Sequence, residues 1–415
     1  MQPEEIRALG DIAGEAIGGA TSHVYDMHTG IARRVFDAVG PGAAPVRLAH
    51  GAITRGAYSA VGTVSSGVVK GAAAVLSLAR PADSPSIGTS ARGRVAIGAL
   101  NGAFGDALER RGNALALPMT LRRRGRDLTI SPRDLRQAFP CATPRLAVFI
   151  HGLCETDDAW GLGVDRHVPY GRRLARELDY TSLYVRYNSG RHISENGRDL
   201  AALLDQVTAA WPVEVVEITI VGHSVGALVA RSACHYGAGS DWVAKVRHLF
   251  ALGAPHHGAP LERITNAASH ALAKLPETRT LSRALNLRSA GVKDLRYGYL
   301  ADEDWHGQDP DAFLRNTGRE ISFLDSANTY FVCATVTRDP DSHAGRLVGD
   351  LLVLRASAWA HGGHGERMRF PIDNYRQLGG VHHFDLLNHP AVYQQIKRWL
   401  TSEHRALPAP VLEPV

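Results

Sequence analysis

The stretch Ile218-Thr-Ile-Val-Gly222-His-Ser224-Val-Gly226-Ala-Leu228 decides how this chain is read. An apolar, β-branched run leads in, a serine stands between two glycines, and an alanine-rich stretch of helical pattern leads out. In that strand, turn and helix setting a serine is forced onto a tight elbow at the carboxyl end of a sheet. Gly222 and Gly226, with His223 beside the serine, leave out side chains where the turn is sharpest and where the helix approaches the strand. The helix N-terminus beneath the serine favours developing negative charge. Ser224 is therefore the candidate nucleophile.

Upstream, Ala147-Val-Phe-Ile-His151-Gly152-Leu153 is an apolar strand that ends in His-Gly. Acyl transfer needs two backbone N–H groups aimed at the oxyanion, one following the nucleophile and one from the loop after an earlier strand. Val225 and Leu153 occupy those two places. His151 reads as a residue holding the loop, and Cys154 as a bystander. Further out, apolar runs at 146–150, 182–187, 215–221, 249–252 and 330–336 alternate with helical patterns such as 196–210 and 226–236. Strands alternating with helices imply βαβ units and a mostly parallel sheet covered on both faces. Residues 119–130 alternate apolar and polar side chains around Gly125, which predicts a hairpin with a solvated arginine tip. Residues 259–328 interrupt the rhythm and predict a helical insertion over the site, with Leu261, Ile264, Ala268, Leu272 and Leu275 as its core-facing stripe. Residues 1–117 predict a helical N-terminal region, 118–405 the catalytic domain, and 406–415 a tail.

Several motifs in fixed order resemble bacterial lipases and esterases of the α/β-hydrolase superfamily, including the branch similar to GPI inositol-deacylases. They are Phe149-Ile-His-Gly-Leu153, 187–197, Gly222-His-Ser-Val-Gly226, Leu252-Gly-Ala-Pro-His-His-Gly258 and His383-Phe-Asp-Leu-Leu387. The resemblance implies an α/β-hydrolase fold and a triad in the order nucleophile, acid, histidine. Two carboxylate neighbourhoods follow Ser224: Asp339 with Asp341, and Asp350. Gly349-Asp-Leu-Leu-Val353 followed by Ser357-Ala358 resembles the family's acid segment, which implies Asp350. Among His382, His383 and His389, the residue directly before Phe-Asp-Leu-Leu matches best, which implies His383 as base.

The whole chain sets the bounds. With 415 residues, 45% of them hydrophobic, it can bury a full catalytic core and more. Its 46 Lys and Arg against 41 Asp and Glu give only +5, too mild to imply a nucleic-acid partner. Four scattered cysteines form no CxxC pair and fit a reducing compartment. No apolar segment follows a basic start, so a secretory signal peptide is not expected and the cytoplasm is the expected location. Residues 57–79 are the most apolar stretch, carry Lys70 and several glycines, and read as a peripheral lipid contact at most. Paired histidines (His256 with His257, His361 with His364, His382 with His383) lack metal-ligand spacing, so neither metal nor cofactor is expected. The expected substrate is an ester or lipid, with medium to long acyl chains suggested by the cover. Acyl transfer or thioester cleavage on the same triad, or a non-catalytic lipid-binding module, are the alternatives.

Overall fold

The computed structural model describes residues 1–274, 278–339, 350, 353 and 371–402. Its centre is an eight-stranded sheet in the order β2-β1-β4-β3-β5-β6-β7-β8. The strands are β1 (Thr120–Arg123), β2 (Arg126–Asp127), β3 (Arg145–Ile150), β4 (Thr181–Arg186), β5 (Glu217–His223), β6 (Val246–Leu252), β7 (Asn328–Thr335) and β8 (Tyr375–Gly379). β1 runs antiparallel to both β2 and β4, and every pairing from β4 to β8 is parallel. Arg124 and Gly125 both have positive φ, as a two-residue hairpin turn requires. The hairpin arginines are not all solvated: Arg122 is buried beside Asp127 and Asp157, and Arg123 stacks on Phe139. Alternation on a pleated strand sends Leu121 into the main core and Arg122 to the opposite face, where two carboxylates make its burial tolerable.

Twelve α-helices are described. α1 (Pro3–Val39), α2 (Ala44–Leu78) and α3 (Ala91–Arg110) precede the sheet, and α4 (Pro132–Ala138) follows the hairpin. α5 (Tyr170–Leu178), α6 (Ile193–Ala210), α7 (Val225–Tyr236) and α8 (Asp241–Ala244) alternate with strands. α9 (Pro260–Ala273), α10 (Arg279–Asn286) and α11 (Ala290–Asp294) lie between β6 and β7, and α12 (Pro390–Thr401) closes the fold. Successive residues of β3 divide between two cores. Leu146, Val148 and Ile150 pack with α6 and α7, while Ala147 and Phe149 pack with α5 and α12. That period-2 split is why the central strands read as unbroken apolar runs. On the second face Phe250, Tyr330 and Trp399 form a stack with centroid spacings of 4.9 and 4.7 Å.

The insertion is less helical than its sequence pattern suggests, since 305–327 holds no regular helix or strand. Gly307, at positive φ, and Pro310 break that stretch. α9 also turns the opposite way from expectation. Leu261 and Ile264 are exposed, while Glu262, Asn266 and Ser269 are buried; Leu275 lies outside the described residues. The polar side can be buried because each group is paired: Glu262 Oε1 accepts from Arg288 (2.9 Å) and Arg296 (3.0 Å), and Ser269 bonds Ser282 and Asn286.

Candidate active site

Ser224 follows β5 directly and is the N-cap of α7, with φ 52° and ψ −123°. Few non-glycine residues adopt such a backbone, and strain of this kind persists only where the surroundings enforce it. Here the enforcement is visible. The Ser224 N–H donates to Leu252 O at 2.8 Å, and a Cβ on Gly226 would collide with the carbonyl oxygens of Ile150 and His151. Only glycine at that position lets α7 sit against the end of β3.

His383 and Asp350 are both buried, and His383 Nδ1 lies 2.6 Å from Asp350 Oδ2. The second Asp350 oxygen accepts from the Val353 N–H at 2.8 Å, so the carboxylate is held at both oxygens. Asp339 is exposed on the surface, and Asp341 lies outside the described residues. Of the rival histidines, His382 is exposed, and His389 caps α12, its ring accepting from the Ala391 N–H. Ser224, His383, Leu153, Phe384, Leu261, Val292 and Leu295 line one mainly apolar cavity of about 350 Å³. Arg288 and Glu262 also reach its wall. Two larger clefts lie along α1 and α2, away from Ser224.

Leu153 sits in the loop after β3, and Val225 is the first residue of α7, whose N–H has no intrahelical partner. Among the described residues neither the Leu153 nor the Val225 N–H donates to another protein acceptor. The loop around Leu153 is fixed on three sides. His151 is fully buried and stacked on Tyr187, with its Nε2 accepting from the Tyr187 N–H at 3.3 Å and Tyr187 Oη donating to His151 O at 2.8 Å. Burial pushes its imidazole down to about 4, so it stays neutral. Behind the loop, α3 presents Gly98 to residues 154–156, Gly102 to Cys154 and Gly105 to Asn188; a Cβ at Gly102 or Gly105 would collide, and one at Gly98 would be tight.

The sequence reading missed Glu155. Its Oε2 accepts from the Gly152 N–H at 2.6 Å, and its Oε1 lies 3.1 Å from His223 Nδ1, while His223 Nε2 donates to His383 O at 3.2 Å. A buried chain therefore runs from the loop through Glu155 and His223 to the backbone of His383. Burial alone would lower the His223 pKa, but the adjacent Glu155 carboxylate reverses that and raises it. For Glu155, burial would raise the pKa, and His223 with the Gly152 N–H instead lowers it. The signs fix a pH window. His223 contributes stability that is full below its ordinary 6.5 and lost as pH climbs through the raised value. Glu155 contributes stability present above its ordinary 4.5 and lost as pH falls through the lowered value. Glu155→Gln should therefore cost most stability between those two pH values, and urea midpoints for the two proteins should converge as the solution turns alkaline. A gap that stayed constant across this range would contradict the ion pair.

His256 is buried against Arg231, its Nδ1 3.1 Å from the guanidinium, which also donates to Ile321 O and covers the Phe323 ring. It therefore belongs to the packing beneath the insertion. Among the described residues no three His, Cys, Asp or Glu side chains cluster as a metal site needs. His361 and His364 lie outside the described residues.

The family model described as PGAP1-like alpha/beta domain matches residues 170–327. No curated protein matches the chain. Among solved structures the chain is similar to the mature form of the lipase BlEst2 from Bacillus licheniformis, at 19% identity over 63% of this chain and 94% of that one, TM-score 0.39. It is also similar to the lin2722 gene product from Listeria innocua (14%, 62% and 94%, TM-score 0.38). The esterase RhEst1 from Rhodococcus sp. ECU1013 is a third (15%, 63% and 92%, TM-score 0.32). With its parallel sheet, its serine elbow between β5 and α7 and the family match across them, the chain has the α/β-hydrolase fold, and the stretch holding Ser224 is similar to the PGAP1-like alpha/beta domain.

Proposed function

We propose that the protein is a serine hydrolase of carboxylic esters, with Ser224 as nucleophile, His383 as general base and Asp350 as the acid that orients it. The observation that carries the reading is a strained serine and a buried histidine, itself held by a buried carboxylate, facing one apolar cavity. His383 Nε2 takes the Ser224 proton as Oγ attacks the ester carbonyl, and Asp350 fixes the tautomer through Nδ1. The Leu153 and Val225 N–H groups receive the oxyanion. Collapse releases the alcohol, which takes the proton from His383 and leaves an acyl-enzyme. Water then repeats the cycle, adding across the acyl carbonyl and restoring Ser224. Hydrolysis is favoured over non-catalytic lipid binding because a binding module has no need of a strained serine or a buried His-Asp pair.

Leu261, Val292 and Leu295 give the cavity room for an acyl chain longer than acetyl, and a site of this size and lining favours apolar ligands. A panel of p-nitrophenyl esters from acetate to palmitate should show kcat/KM rising from C2 to a maximum at medium or long chains. A profile that peaks at acetate and falls with every added carbon would refute the acyl-length reading, and equal rates for wild type and Ser224→Ala would refute the chemistry.

A further inference from the structure

α1 and α2 form a long antiparallel hairpin whose side chains are distributed in reverse of the usual soluble pattern. On α2 the buried positions are Thr54, Gly62, Ala73 and Ser77. Its valines and leucines point outward: Val64 is 64% exposed, Val68 64%, Val75 67% and Leu78 77%. The seam between the helices is small and polar. Ser77 Oγ accepts from Arg7 Nε at 2.8 Å, His28 meets Tyr58 at 3.2 Å, and Gly10, Gly14 and Gly62 bring the two backbones close. In water such an arrangement leaves the apolar groups unburied. In hydrocarbon it is the arrangement expected, because lipid is as apolar as valine and helices then associate through small and hydrogen-bonding residues.

Charge supports the same occupant. Between Arg55 and Arg80 the only charged residue of the chain is Lys70. Its stem lies over Gly14 and its ammonium faces Asp11 at 3.9 Å, so it turns toward α1 and leaves the valine face uncharged. At 1.5 Å per residue the 23 helical residues of that stretch, 56–78, extend about 35 Å. An 18-residue window of α2 reaches a mean hydropathy of 1.4 with only 11% of it buried. α1 is amphipathic: exposed Val24, Met27 and Ile31 lie on the opposite side of the helix from Glu4, Asp11 and Glu15. That acidic row argues against full insertion and for a hairpin lying in the interface with its acids toward water. The hairpin also touches the insertion over Ser224, through the ion pair of Asp26 on α1 with Arg283 on α10. That insertion turns Ile264 outward as well.

We propose that the α1–α2 hairpin is a lipid-docking element that embeds the valine face of α2 in one leaflet of a bilayer. The proposal rests on the hairpin alone and is independent of the chemistry at Ser224. The test is flotation of the full chain with neutral phosphatidylcholine vesicles in a sucrose gradient, comparing wild type with V64E/V68E. Neutral lipid removes simple charge attraction from the result. Wild type should float, and the variant should float at least tenfold less while its circular dichroism and thermal midpoint stay unchanged, since both positions are exposed. Three outcomes would overturn the proposal. One is recovery of wild type only at the bottom of the gradient, and the second is a variant that floats as well as wild type. The third is a wild-type dimer in solution that does not float and that V64E/V68E separates, which would assign the face to a second copy of the chain.

Discussion

Ser224→Ala is expected to reduce ester turnover by about a million-fold while leaving the fold intact, because residues that act as one catalytic unit lose nearly all of its effect when any essential member is removed. At 1.36 kcal/mol per decade that is about 8 kcal/mol of lost transition-state stabilisation. The change deletes one oxygen atom and leaves the elbow backbone, Gly222 and Gly226 in place. Thermal unfolding of the variant should match wild type, and only the rate should fall. A variant that kept even a tenth of wild-type turnover would remove Ser224 from the role.

The second large effect separates adjacent histidines. His383→Ala removes the group bonded to Asp350 at 2.6 Å, whereas His382→Ala removes a side chain exposed to solvent. The first should cost about as much as loss of the serine, and the second less than about tenfold. Asp350→Asn should fall between them, at about ten-thousand-fold, because an amide that donates to Nδ1 would hold the wrong imidazole tautomer. Initial rates on one soluble ester, with all three variants at equal folded concentration, check the order. Equal losses for His382→Ala and His383→Ala would contradict it.

What the sequence displayed most clearly was local. Ile218 to Val221, the two glycines around Ser224 and the alanine-rich stretch after it spell strand, turn and helix in one short run, so the elbow can be read without the distant contacts that hold it. Ser224, Leu153 and His383, named from sequence, line one cavity in the structure. Less legible was whatever depends on contacts between distant segments. Glu155 reads as a loop carboxylate until the fold brings His223 against it. The glycines of α3 look like poor helix formers, and their reason is the loop at Cys154 that they accommodate. β8 escaped notice because Tyr375-Arg-Gln-Leu-Gly379 is a half-exposed edge strand with little apolar alternation. Apolar periodicity misled at α9 for a related reason: it locates an apolar face without saying whether core or solvent meets it. There the core side is taken by Glu262 between two arginines, Ile264 is left outside, and Leu261 borders the cavity at Ser224.

The central claim is that Ser224 is an activated nucleophile, and covalent trapping tests it without assuming any substrate. The intact protein would be treated with a fluorophosphonate, digested, and its peptides sequenced by mass spectrometry. The account predicts a single phosphonylated residue, Ser224, with labelling abolished in Ser224→Ala and strongly slowed in His383→Ala. No labelling of the folded wild-type protein, or labelling at another residue that persists in Ser224→Ala, would contradict it.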